Sequence, residues 1–120
     1  MKRSYWIEHR GKRIVYVDFS NADLAGLKQA IAEAKPLIAG EPPQSVLCLV
    51  ETPGTRFTTE VGAVVREFTE HNKPFIKMTA LVGIEGIQKV ALNSVFVFTR
   101  RKNIVTKRSR TEALDFLAAQ

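Results

Sequence analysis

The chain has 120 residues, of which 45% are hydrophobic and 25% charged; this suits one folded domain over 1–120 and excludes a disordered chain. No apolar run reaches the roughly 18 residues of a membrane span, "MKRSYWIEHR" lacks a signal-peptide core, and the lone Cys48 excludes an internal disulfide, so the expectation is a cytoplasmic protein with no membrane association. The formal net charge of +6 serves solubility and equally admits anionic partners.

"SYWIEHRGKRIVYVDFS" reads as an N-terminal hairpin: two β-rich runs flank Arg10-Gly11-Lys12, and Gly11 suits a turn that needs positive φ. In the second run Val15, Val17 and Phe19 alternate with Tyr16 and Asp18, the pattern of a half-buried strand. Over 22–39 the period changes. Leu24, Leu27, Ile31, Ala34 and Ile38 form one helical face, Ser20, Asn21 and Asp23 offer its N-cap, and Pro36 is expected to kink or end it early. "SVLCLV" (45–50) is a continuous apolar run, as in a strand covered on both faces.

Val61, Val64, Val65 and Phe68 mark the next helix, with Asn72 expected in a left-handed cap before Pro74. "FIKMTALVG" (75–83) reads as another buried strand. A broadly apolar helix is expected from about Ile84 to Phe98, with Ile84, Ile87, Ala91, Val95 and Phe98 inward. "NIVTK" is a short last strand. Ser109 and Glu112 fit a capping box for a final helix that points Ala113, Leu114 and Leu117 inward. The expected class is α/β, a mixed sheet in the order β-β-α-β-α-β-α-β-α, with right-handed crossovers and the last three strands parallel.

This order, with its strand-to-helix switch at 51–59, resembles the STAS domain, the fold of anti-sigma-factor antagonists and sulfate-transporter tails. "GKRIVYVDFS", "NKPFIKMTALVGIEG" and "TEALDFL" look like a bacterial group of STAS-like (SpoIIAA-like) single-domain proteins. The resemblance implies a mixed sheet flanked by helices, and no settled activity. It also implies a phosphoacceptor position. The antagonists carry a phosphorylated serine in an Asp-Ser-Ser-Gly-type motif at the start of the second-helix equivalent, where this chain has Phe57-Thr58-Thr59-Glu60-Val61-Gly62. Thr58 and Thr59 stand at the hydroxyl positions, while the aspartate and the Ser-Ser-Gly are missing.

Ligands of open α/β sheets sit outside the C-terminal ends of parallel strands. Three junctions are expected there: Glu51 to Thr59, Gly83 to Gly86, and Lys107 to Ser109. Each opens a helix, whose free N–H groups and dipole favour an anion. The candidate ligand or phosphorylation edge therefore comprises Glu51, Thr52, Thr55, Arg56, Thr58, Thr59, Gly83, Gly86, Lys107 and Arg108. The competing structural roles are equally concrete: Thr58 as an N-cap, the glycines in tight turns, and Glu51 paired with a neighbour.

Catalysis finds no constellation. Cys48 lies within an apolar strand, and His9 and His71 lack ligand spacing for zinc. No cofactor motif occurs. Lys77, the odd charge in its strand, reads as a side chain reaching out at a sheet edge or a helix gap. The basic runs at 100–102 and 107–110 lack interleaved aromatics, which disfavours nucleic acid. The reading is a non-enzymatic regulatory module that binds a protein partner or small anion at the Glu51–Thr59 edge. The alternatives are a homodimerisation module without ligand and an antagonist-like phosphoswitch.

Overall fold

The computed structural model describes residues 2–56, 58–83 and 103–120. The helix expected over 84–98 and the site residue Gly86 lie outside these residues. The described elements are β1 (Ser4–His9), β2 (Lys12–Asp18), α1 (Leu24–Ala39), β3 (Val46–Glu51), α2 (Thr59–Asn72), β4 (Ile76–Val82), β5 (Ile104–Lys107) and α3 (Arg110–Ala118). The five strands form one mixed sheet in the order β1-β2-β3-β4-β5. β1 is antiparallel to β2, and β2, β3, β4 and β5 run parallel. The expected parallel run of the last three strands is present and extends to β2.

Arg10 and Gly11, with φ of 50° and 80°, link β1 to β2. Two successive left-handed residues match the right-handed twist of the strands they join. β3 is buried along Val46–Val50, as its unbroken apolar run requires. β2 differs from expectation: Ile14, Val15, Tyr16 and Val17 are all buried. Its second face is covered because α3 packs there, a long-range contact that alternation within the strand does not encode.

Two apolar layers flank the sheet. On one side Val15, Val17, Cys48 and Val50 pack with Leu27, Ile31 and Ile38 of α1 and Val61, Val65 and Phe68 of α2. On the other, Ile14, Tyr16, Leu47, Leu49, Ala80 and Val82 pack with Ala113 and Leu117 of α3, against which Leu114 is only partly buried. Cys48 is a core residue.

The helix ends correct two expectations. Asp23 caps α1 by accepting the Gly26 N–H at 2.8 Å, and the helix continues through Pro36 to Ala39. The carbonyl that Pro36 leaves without a helical donor belongs to exposed Ala32, where water can satisfy it. Asn72 is not a left-handed cap. It is the last residue of α2, buried, and Lys73 follows in the right-handed region at φ −47°. Burial beside His71, whose Nδ1 lies 3.0 Å from the Asn72 Oδ1, fixes this residue in place of turn geometry. At α3, Ser109 Oγ accepts the Glu112 N–H at 3.2 Å, while the Glu112 carboxylate accepts the Arg108 N–H at 3.4 Å. The box thus closes one residue early.

α3 is held by polar ties at both ends. His9 Nε2 lies 2.8 Å from Asp115, with Arg10 at 3.4 Å from the same oxygen. Lys77, exposed as expected, donates to the Gln120 carbonyl at 2.7 Å. The hydrogen bond with His9, followed by the nearby positive charge of Arg10, holds the Asp115 carboxyl below its ordinary value. A depressed folded pKa gives stability that is present above the unfolded value, near 3.9, and lost as pH falls through the folded one. Acid titration of the wild-type chain, followed by circular dichroism, is expected to show more stability lost below about pH 4 than in Asp115→Asn. Identical slopes would remove Asp115 from the acid transition.

Candidate functional site

The register aligns Asp18, Glu51, Val82 and Lys107 across the C-terminal ends of the four parallel strands. Most of the expected edge therefore does assemble in space. The loops that leave this row bind one another. Phe19 donates its N–H to the Glu51 carbonyl at 2.8 Å, and Asn21 donates to the Pro53 carbonyl at 2.8 Å. Thr52 donates both its N–H and its hydroxyl to the Val82 carbonyl, each at 2.9 Å. The Thr55 hydroxyl donates to the Phe19 carbonyl at 2.5 Å. Thr52 and Thr55 are buried, at 1% and 3% exposure. Their hydroxyls add a second hydrogen bond to carbonyls that already accept a backbone N–H, from Thr52 at Val82 and from Ala22 at Phe19, and so tie the loops together.

The glycines fit the same closure. Gly83 has φ of 85°, and a Cβ there would stand 2.4 Å from Pro53. Gly54 has φ of 75°, and its Cβ would stand 2.1 Å from the Asn21 side chain. What approaches Gly83 is the neighbouring loop.

Around this platform the sheet divides the remaining candidates. Arg56, Thr58 and Thr59 are exposed at the start of α2, in the layer that α2 shares with α1. Thr58 is the N-cap, its Oγ1 accepting the Val61 N–H at 3.1 Å, and Glu60 places a carboxylate in the first turn. Lys107 and Arg108 lead into α3, in the opposite layer. Lys107 Nζ sits 4.3 Å from the centroid of the Phe116 ring, and Arg108 is exposed. The α2 and α3 N-termini therefore share an edge but lie on opposite faces of the sheet, so Lys107 and Arg108 do not join the group at α2.

Glu51 belongs to the α3 side. Its carboxylate takes a charge-assisted hydrogen bond from Arg110 Nε, and the same guanidinium donates to the Tyr16 hydroxyl at 3.0 Å. Burial, then the hydrogen bond and charge of Glu51, raise the Tyr16 pKa and keep its hydroxyl neutral. The Glu51 hydrogen bond raises that of Arg110. Glu51 is thus an ion-pair partner. Sequence reading missed Arg110 and Tyr16 because they stand 59 and 35 residues from Glu51 and carry no local signal; only the packing of α3 joins them.

Among the described residues, no group of three or more His, Cys, Asp or Glu side chains could hold a metal ion. A shallow groove of about 330 Å³ lies between α1 and α2, lined by Lys28, Ile31, Ala32, Lys35, Val64 and Glu67, with Lys35 paired to Glu67 at 3.1 Å. No family model, curated protein or solved structure matches the chain.

Two substitutions test these structural roles by urea denaturation. Thr58→Ala is expected to cost about 1 kcal/mol, as for loss of an N-cap oxygen, while Thr58→Asp retains the cap and the stability. Equal losses in both variants would contradict capping. Gly83→Ala is expected to cost at least about 1–2 kcal/mol from the left-handed backbone alone, with the Pro53 contact added; a neutral result would contradict the close approach of the two loops.

Proposed function

We propose that the chain is a non-enzymatic STAS-like regulatory module that receives an anionic group, carried by a protein partner or present as a free small anion, at the start of α2. The observation that carries the reading is the contrast within the expected edge. Thr52, Thr55, Gly54 and Gly83 are committed to loop closure, whereas Arg56, Thr58 and Thr59 remain exposed at a capped helix N-terminus beside those loops. Helix N–H groups and their dipole favour negative charge there, and Arg56 adds a full positive charge.

The finer topology belongs to the same proposal. The expected order β-β-α-β-α-β-α-β-α is that of the STAS resemblance, with the pair Ser4–His9 and Lys12–Asp18 as its N-terminal hairpin. In that frame Thr58 and Thr59 occupy the phosphoacceptor position. A phosphate on exposed Thr59 would add negative charge at the favourable end of α2 and new acceptors for Arg56. The cytoplasm, where kinases and such partners meet, is the compartment this reading requires.

Titration with inorganic phosphate and, separately, with a glutamate-rich peptide tests the proposal by following backbone amide shifts. The expected result is saturable shifts centred on 58–62, weakened in Arg56→Ala and strengthened in Glu60→Gln. Response to phosphate alone identifies a free anion, and response to the peptide identifies a protein-borne carboxylate. Shifts confined to β1 and β2, or no saturation with either probe, would overturn it.

A further inference from the structure

β1 is the outer strand of the sheet, and only part of its edge is guarded. Asp18 donates its N–H to the Arg3 carbonyl at 3.0 Å, and the pairs Tyr5 with Tyr16, Ile7 with Ile14 and His9 with Lys12 follow at steps of two. In an antiparallel ladder this alternation turns the C=O of Arg3 and the backbone N–H and C=O of Tyr5, Ile7 and His9 toward β2, and those of Ser4, Trp6 and Glu8 outward.

The outward Ser4 N–H is already used: it donates to Glu33 Oε1 at 3.2 Å, an oxygen that also accepts the Arg3 N–H at 2.7 Å. Glu33, reaching from α1, thus closes the first half of the edge. Trp6 and Glu8 keep outward backbone groups with no hydrogen bond among the described residues. The same strand carries Tyr5, the exposed large hydrophobic among the described residues, at 44%. An open pairing edge beside exposed apolar surface is a template for another strand.

We propose that this edge pairs antiparallel with the same edge of a second copy of the chain, about a two-fold axis at Ile7. The geometry selects that register. Centred on Ile7, Trp6 of each copy exchanges both backbone hydrogen bonds with Glu8 of the other, so the open groups satisfy one another and the Ser4–Glu33 bond stays intact. Ile7 then meets Ile7 at a non-hydrogen-bonded position, where side chains come closest, and Tyr5 faces His9 of the other copy. Arg10 of the second copy falls opposite Ser4, beside the Glu33 carboxylate, so opposite charges meet at both ends.

Neighbouring registers fail on the same residues. A shift that centres the axis on Tyr5 or Trp6 must take the Ser4 amide from Glu33. An axis on Glu8 sets the two Glu8 carboxylates directly opposite each other, and an axis on His9 sets Glu8 against Arg10, whose φ of 50° has already left the extended region. A two-fold contact consumes the β1 edge of both copies, so the assembly closes at two.

Sedimentation of the whole chain over a concentration series, compared with Glu8→Pro, tests the proposal. Proline at position 8 removes an outward N–H and spares the ladder to β2. The wild-type sedimentation coefficient is expected to rise with concentration, while Glu8→Pro stays at the monomer value with an unchanged melting curve at the lowest concentration. A mixture of isotope-labelled and unlabelled wild-type chains is expected to show an intermolecular contact between Ile7 side chains, and it decides the matter if the variant fails to fold. A wild type that stays monomeric, a variant that dimerises as the wild type does, or intermolecular contacts that avoid β1 would each overturn the proposal.

Discussion

The double burial of the central strands is the constraint on which the rest of the structure depends. β3 hides every side chain from Val46 to Val50, and β2 hides Ile14 to Val17. A strand with apolar residues on both faces needs a layer on each side. α1 and α2 supply one layer as crossovers between parallel strands. α3, the last element, supplies the other. The chain must travel through every parallel strand before its C-terminal helix can return to cover Ile14, Leu47 and Leu49.

The energetics of that last layer favour apolar contact over charge. Burying a leucine side chain such as Leu117 stabilises by about 1.5–3 kcal/mol. Exposed ion pairs contribute about 0–1 kcal/mol, and the Asp115 pairs, with 41% of the aspartate side chain accessible, belong to that class. The polar ties at His9, Lys77 and Glu51 therefore act chiefly on where α3 lies. The Arg110 contact with Glu51 and Tyr16 is the most sheltered of them, since only 12% of the Glu51 side chain is accessible.

Closure of the sheet's C-terminal edge follows from backbone accounting. Loops leaving β2, β3 and β4 bring carbonyls into a region that excludes water. Backbone N–H groups of Thr52 and Ala22 satisfy those of Val82 and Phe19, and the Thr52 and Thr55 hydroxyls add a second bond to each. Gly54 and Gly83 let neighbouring loops lie close enough for that bonding. The same threonines and glycines that resemble a ligand cradle in one dimension thus fill the cradle in three, and recognition chemistry is left to the exposed side chains at the head of α2.

The sequence alone determined what is local and periodic. Helical periods placed α1 and α2, and continuous apolar runs placed β3 and β4; Gly11 marked the first turn, and Thr58 and Ser109 marked two helix starts, because capping and left-handed turns involve residues a few positions apart. Glu51 at a strand end was legible as a pairing residue, though not its partner. Only the tertiary structure decided that β2 is covered twice, that Asn72 is a buried helix residue, and that Arg110 closes on Glu51 and Tyr16. It also decided that the α2 and α3 N-termini stand on opposite faces of the sheet. These outcomes depend on which layer a distant helix joins, and that is set by the summed burial of both sheet faces, a quantity no short stretch such as "ETPGTRFTTE" carries.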